Sequence, residues 1–134
     1  MHAKAFLAAA VLLSLAIAPM AFAQSAPEGV KTATIHGSTV FVSARGTALY
    51  TLDNDSAGKS ACNGQCAKIW PPLAAGQAAH DMGPWTVITR ADGTRQWAYM
   101  GKPIYNFVRD KDPGDAKGDN FGPAGTHVWH VVRP

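Results

Sequence analysis

The sequence has few of the patterns from which catalytic and nucleic-acid-binding sites are built. Its 134 residues include only two cysteines, with 12 lysines and arginines against 9 aspartates and glutamates. The basic residues are scattered and never form a run, so the sequence does not indicate nucleic-acid binding. No nucleophile elbow, phosphate-binding loop or zinc-protease helix is present, so no motif argues for an enzyme. We therefore expect a non-enzymatic protein without a cofactor.

The only long apolar run lies at the amino end. A short basic start precedes a mostly apolar stretch from Ala5 to Ala18, and Ala21-Phe22-Ala23 forms a small-x-small cleavage site. This arrangement is typical of a secretory signal peptide over residues 1–23 and is too short for a comfortable membrane span. We predict an exported chain that begins at Gln24, periplasmic or secreted, with no transmembrane segment after cleavage. The residue directly after the cleavage site is Gln24 and not a cysteine, so a lipid anchor is not expected.

One short phrase occurs twice in the remaining chain. Both copies read glycine, two variable residues, an aliphatic residue, tyrosine, four residues and aspartate, and their tyrosines and aspartates are Tyr50, Asp55, Tyr105 and Asp110. A glycine followed by an aliphatic and an aromatic residue favours a strand that leaves a tight turn. We expect both tyrosine rings to be buried, and both aspartates to hold the following loops through backbone N–H groups or a cation.

The repetition extends beyond this phrase and predicts the fold. Repeat 1 covers about residues 32–73 and repeat 2 about residues 86–132, and each reads as strand, tight turn, strand, glycine turn and strand. Frequent turns between short β-branched segments favour a mainly β protein. We predict one domain over residues 24–134, made of two β-meander repeats packed about a pseudo-two-fold axis. One short helix is expected within Ala61 to Ile69, after the first Tyr-x4-Asp loop, and the four tryptophans should fill the core.

The two cysteines, Cys62 and Cys66, are separated by three residues. In an oxidising compartment a pair at this spacing favours a structural disulfide. A thiol redox centre usually has two intervening residues, and a two-cysteine zinc half-site would need a second pair of ligands. The thiol redox reading stays open as a second alternative function.

Calcium is one candidate ligand. The first loop offers Asp53 and Asp55 and imitates the opening of an EF-hand, but Gly64 stands where that motif needs a bidentate glutamate. The second loop offers Asp110 and Asp112 among other carboxylates. Hard oxygen donors at these positions make a calcium site the first form of a metal-binding alternative.

Copper is the second candidate. His80 and Met82 in the connection between repeats, and His127 and His130 near the carboxyl end, are ligands that suit copper. His127 and His130 are three residues apart, so on a strand they would face opposite ways. The sequence therefore predicts a copper site only with a local bend.

The residues also resemble a known family. The doubled Tyr-x4-Asp phrase, the segment from Lys59 to Pro72 and the segment from Arg90 to Tyr105 resemble the bacterial secreted-repeat family with the Tyr-x4-Asp motif, some members of which are described as lipoproteins. The resemblance covers nearly all of the exported chain, although Leu52 stands where the second copy has the aromatic Phe107. The resemblance implies an exported protein whose biochemical role is unknown. We predict a non-enzymatic binding or structural module of the cell envelope, with an envelope protein or a metal ion as the partner to consider.

Overall fold

The secondary structure consists mainly of short strands. The computed structural model describes residues 1, 4–19, 25–123, 126 and 128–134. The elements in chain order are β1 Lys31–Ile35, β2 Ser38–Val42, β3 Tyr50–Leu52, α1 Gln65–Ile69, β4 Trp85–Thr89, β5 Arg95–Tyr99, β6 Lys102–Pro103 and β7 Trp129–Val131. The prediction of a mainly β protein with one short helix is confirmed. The predicted cleavage site and Gln24 lie outside the described residues.

Residues 4–19 form neither helix nor strand and are exposed. Across the described ranges, no helix has both the length and the apolar character needed to cross a membrane.

Each repeat begins with an antiparallel hairpin. Strands β1 and β2 pair through a two-residue turn, His36-Gly37, with φ values of 48° and 78°. Two positive φ values are the geometry of a type I′ turn, which matches the twist of paired strands. In repeat 2, β4 pairs with β5, and the Asp92 carboxylate accepts the Thr94 N–H at 2.9 Å within the connecting turn. The β-branched residues of both hairpins suit these pleated surfaces.

Each repeat contributes its last residues to the hydrogen-bonded strands of the other repeat. Val132, from the end of repeat 2, donates its N–H to Leu49 and accepts the Phe41 N–H in repeat 1. The same pattern recurs on the other side, where Leu73 donates its N–H to Ile104 and accepts the Trp97 N–H.

The exchange changes two sequence expectations. Strand β3 of repeat 1 pairs with β7 of repeat 2, with Leu52 opposite Trp129. The residues that lead into β3 contact β2 through the bridge between Val42 and Ala48. Leu73, expected at the end of repeat 1, forms backbone hydrogen bonds with Trp97 and Ile104 of repeat 2. Because matching hydrogen bonds recur in both halves, the repeats are related by the expected pseudo-two-fold axis.

Helix α1 follows the first Tyr-x4-Asp loop, as predicted, and carries Cys66. It ends at Ile69, shortly before Pro71 and Pro72, since a residue before proline is disfavoured in the helical conformation.

The core consists of two apolar clusters, and each draws on both repeats. One contains Tyr50, Trp70, Tyr105, Phe107 and Trp129 among its members. The other contains Phe41, Leu49, Trp85, Trp97, Ile104 and Val132. All four tryptophans are therefore buried, as the sequence predicted.

Candidate functional site

The repeated phrase makes its side-chain contacts across the two repeats. The Tyr50 hydroxyl of repeat 1 donates to Asp110 Oδ2 of repeat 2 at 2.6 Å. The Tyr105 hydroxyl of repeat 2 donates to Asp55 Oδ2 of repeat 1 at 2.7 Å. We call these two contacts the crossed Tyr–Asp pairs. Each tyrosine is bound by the aspartate of the other copy, so the phrase links the halves of the domain.

The second oxygen of each aspartate holds the loop that follows it. Asp55 Oδ1 accepts the Ala61 N–H at 2.7 Å, and Asp110 Oδ1 accepts the Lys117 N–H at 2.9 Å. The sequence predicted that both aspartates hold the following loops, either through backbone N–H groups or through a cation. In the structure both aspartates accept backbone N–H groups. Both carboxylates thus have both oxygens engaged within the protein.

The pseudo-two-fold axis passes between Tyr50 and Tyr105. Each backbone N–H donates to the carbonyl of the other residue at 2.9 Å. Beside this pair the indole rings of Trp70 and Trp129 stack with centroids 3.9 Å apart and planes 6° from parallel. Tyr50 packs edge-on against Trp70 at 5.3 Å, and Tyr105 does the same against Trp129 at 5.1 Å. Four rings therefore meet at the axis in symmetric pairs.

Burial and hydrogen bonding change the acidity of these groups. Both tyrosines have 0% relative exposure. Burial, followed by the hydrogen bond to the partner aspartate, raises the pKa of Tyr50 and of Tyr105 far above the ordinary value. Burial also raises the pKa of Asp55, although the hydrogen bonds from Tyr105 and Ala61 act in the opposite direction. The neutral phenol of Tyr105 therefore faces a carboxylate, Asp55, that desolvation makes a better base.

A buried arginine occupies repeat 2 and was not identified from the sequence. Arg90 is 6% exposed, and its Nη1 donates to Gln96 Oε1 at 2.7 Å and to Ser60 Oγ at 3.0 Å. Its Nη2 donates to the Cys62 carbonyl at 2.6 Å. Ser60 Oγ in turn lies 2.6 Å from the Tyr105 hydroxyl oxygen. Since the Tyr105 proton is directed to Asp55, Ser60 is the donor in that contact.

A comparison of the repeats would have shown this network. The backbone bonds that make Phe41 equivalent to Trp97 also make Val40 equivalent to Gln96. Both side chains are buried, at 1% and 0% exposure. Repeat 2 therefore has the polar Gln96 where repeat 1 has the apolar Val40, and Gln96 is the residue that binds Arg90.

Cys62 and Cys66 form a disulfide, as predicted. Cys62 has 0% exposure, and its carbonyl is the one that Arg90 binds. Reactive cysteines usually lie in partially exposed surroundings, so the burial of Cys62 favours a structural disulfide. The disulfide closes the loop whose Cys62 carbonyl binds Arg90.

The structure brings together two of the suggested metal ligands. His130 Nε2 on β7 lies within hydrogen-bond distance, 3.0 Å, of Oδ2 of the exposed Asp53, which follows β3. Asp112 and His80 are exposed at other places on the surface, and Met82 packs against the second core cluster. In the part of the chain that the structure describes, no three His, Cys, Asp or Glu side chains are grouped as metal ligands. His127 lies outside the described residues.

An open cleft of about 450 Å³ lies beside one crossed Tyr–Asp pair. Its apolar lining includes Val30, Leu73, Phe107 and Val108. Its charged lining includes Glu28, Arg45 and Lys111. Asp110 also lines the cleft, and its backbone carbonyl accepts Arg45 Nη2 at 3.5 Å.

The two repeats match the profile of a known family. Residues 31–74 and 86–133, together more than half of the chain, match the family described as a secreted repeat of unknown function. The chain belongs to this secreted-repeat family. Neither a curated protein nor a solved structure gave a match. The resemblance proposed from the sequence is confirmed, and in this member of the secreted-repeat family the motif tyrosines and aspartates form the crossed pairs.

Proposed function

We propose that this protein is a non-enzymatic binding module of the cell envelope, periplasmic or released, and that the cleft holds its ligand. The family is described as secreted, which supports an extracytoplasmic site of action. The motif itself is committed to joining the repeats, since every motif hydroxyl and carboxylate binds another part of the chain. A ligand is therefore expected beside the motif.

The single observation that carries the proposal is the chemistry of the cleft lining. Leu73 and Phe107 supply an apolar floor from opposite repeats, and Arg45 and Lys111 supply two exposed cationic groups at its edge. Ligand sites combine an apolar surface with a few polar groups that fix orientation. The arrangement fits a small molecule with an apolar body and one anionic group, and the carboxylate of Glu28 disfavours a second negative charge.

Rigid surroundings support this assignment. Phe107 stacks on Trp70 with centroids 4.2 Å apart, and Leu73 is fixed by backbone bonds to Ile104 and Trp97. A preformed floor loses little conformational entropy when a ligand binds. The cleft therefore needs no closing movement to present its apolar surface.

Anilinonaphthalene sulfonate, an aromatic anion whose fluorescence rises in apolar surroundings, is a suitable probe. Titration into the exported chain should give saturable binding that decanoate displaces. Arg45→Gln and Lys111→Gln should each weaken binding about two- to five-fold, the range for an exposed ion pair. Lys68→Gln is the matched control, because Lys68 is exposed on α1 and does not line the cleft.

Ala44→Trp tests the location. Ala44 is exposed and lines the cleft, so an indole at this position should fill the space and abolish binding. Binding that persists in Ala44→Trp and is indifferent to both charge variants would place the probe elsewhere and remove the proposal.

A further inference from the structure

The aromatic rings at the pseudo-two-fold axis form a continuous series of contacts. Trp70 lies between Phe107 at 4.2 Å and Trp129 at 3.9 Å, with planes inclined by 20° and 6°. We call these three rings the aromatic stack. Tyr50 contacts it at Trp70 and Tyr105 contacts it at Trp129. Indole and phenol are the side chains most readily oxidised by one electron, and face-to-face overlap spreads the resulting positive charge over two rings.

The crossed Tyr–Asp pairs supply what tyrosine oxidation needs in a buried place. A phenol that loses an electron becomes a strong acid and must transfer its proton to a base. The hydroxyls of Tyr50 and Tyr105 already donate to carboxylates at 2.6 and 2.7 Å. The proton can therefore move within an existing hydrogen bond, and no net charge is created at the tyrosine.

We propose that the aromatic stack relays one-electron oxidising equivalents and that the crossed Tyr–Asp pairs hold them as neutral tyrosyl radicals. An outer-sphere one-electron oxidant takes an electron from Trp70 or Trp129 and is reduced by one. A tyrosine returns an electron to the indole cation while its proton moves to the partner carboxylate. The products are a neutral radical and a neutral carboxylic acid. A one-electron reductant reverses both transfers.

The surface offers a place for the oxidant. Phe121 is 42% exposed, and its ring lies 5.7 Å from Trp70 and 5.8 Å from Phe107. An oxidant that contacts Phe121 is separated from the aromatic stack by one ring. Electrons cross such a gap by tunnelling, so the tryptophans need not be exposed.

Flash photolysis of the exported chain with ruthenium tris-bipyridine and an irreversible electron acceptor tests the relay. Electron paramagnetic resonance should detect a tyrosyl radical in the unaltered protein. Tyr50→Phe and Tyr105→Phe should each lower this signal, and the double replacement should abolish it, leaving an indole radical. Asp110→Asn, which removes the base, should also reduce the signal.

Tyr99→Phe is the matched control, because the third tyrosine packs in the other core cluster against Phe41 and Trp85. It should leave the signal unchanged. A tyrosyl signal that survives the double replacement, or that disappears with Tyr99→Phe alone, would overturn the proposal. So would an unaltered protein that forms only indole radicals.

A second measurement needs no variant and is independent of folding effects. Peptide mapping by mass spectrometry after steady illumination should find oxidation products on Trp70 and Trp129 and spare Trp85 and Trp97. All four indoles are buried to a similar degree, with exposures between 1% and 7%. Equal modification of the two sets would show that the aromatic stack has no special role.

Discussion

Tyr50 and Tyr105 donate their backbone N–H groups to each other's carbonyls at 2.9 Å, although they belong to different repeats. Their side chains then diverge, and each hydroxyl binds the aspartate of the opposite copy. A motif present in two copies therefore acts as a single interlocking unit, and removing one residue should affect both repeats.

Alanine replacements of the aspartates should differ in cost. Asp110→Ala leaves the buried Tyr50 hydroxyl and the Lys117 N–H without their acceptor, and should lower the free energy of unfolding by about 2 to 3 kcal/mol. Asp55 is only half buried, so Asp55→Ala should cost about 1 kcal/mol. Thermal melts measure both values. Equal costs would contradict the burial argument.

The crossing itself can be measured with double-mutant cycles on unfolding free energies. Tyr50→Phe and Asp110→Asn remove two ends of one hydrogen bond, so their effects should be coupled by about 0.5 to 3 kcal/mol. Tyr50→Phe and Asp55→Asn belong to the same copy and should add to within about 0.5 kcal/mol. Strong coupling within a copy and none between copies would show that the pairs are not crossed in solution.

Stability should fall in alkaline solution. An unfolded tyrosine loses its proton near pH 10, whereas the raised pKa of Tyr50 and of Tyr105 keeps the folded phenols protonated to higher pH. The contribution of these groups is therefore complete below about pH 10 and is lost as the pH rises further. Chemical denaturation between neutral and strongly alkaline pH should show a shallower decline for Tyr50→Phe than for the unaltered chain. Parallel curves would contradict the prediction.

The buried Arg90 tests how much stability is lost when buried acceptors lose their hydrogen-bond donor. Arg90→Ile leaves Gln96, Ser60 and the Cys62 carbonyl short of a donor, and should destabilise by about 3 kcal/mol. Replacing Gln96 by valine in the same chain should recover part of the loss, because repeat 1 has the apolar Val40 at this position. Arg90→Lys is a control that keeps the charge without the planar fork. A double variant less stable than Arg90→Ile alone would refute the idea.

The disulfide should contribute locally. Closing so short a loop stabilises by about 2 kcal/mol in the chain-entropy account, so replacing Cys62 and Cys66 together by serine should lower the melting temperature without abolishing the fold. Its effect should also reach Arg90, whose partner is the Cys62 carbonyl. An unfolded double variant, seen by circular dichroism, would mean that the bridge holds more than its own loop.

Much of the architecture could be predicted from residue patterns. The repeat, the strands, the short helix, the disulfide and the buried tryptophans all follow from spacing, turn residues and composition. Local patterns carry these features, because a turn or a β-branched run acts on its immediate neighbours.

The crossed Tyr–Asp pairs could not be predicted in the same way. Two identical phrases are compatible with pairing inside each copy or between copies, and only the packing of the repeats decides. Strand β3 illustrates the same limit, since nothing in the segment from Tyr50 to Leu52 indicates that its partner lies at Trp129 to Val131. Arg90 was missed because a charged residue beside a turn is expected to be exposed.

The exchange of Leu73 and Val132 between the repeats has a consequence for a chain that holds only one of them. Repeat 1 alone would leave the Leu49 carbonyl without its donor, because the Val132 N–H comes from repeat 2. Repeat 2 alone would leave the Ile104 carbonyl without the Leu73 N–H of repeat 1 in the same way. Two such polypeptides would satisfy both by association about a two-fold axis, which is the commonest symmetry of small oligomers. The domain therefore has the organisation of a symmetric dimer of single repeats, with residues 76–84 as the joining segment. The two halves are not identical, since the buried Arg90 and Gln96 occur in repeat 2 alone.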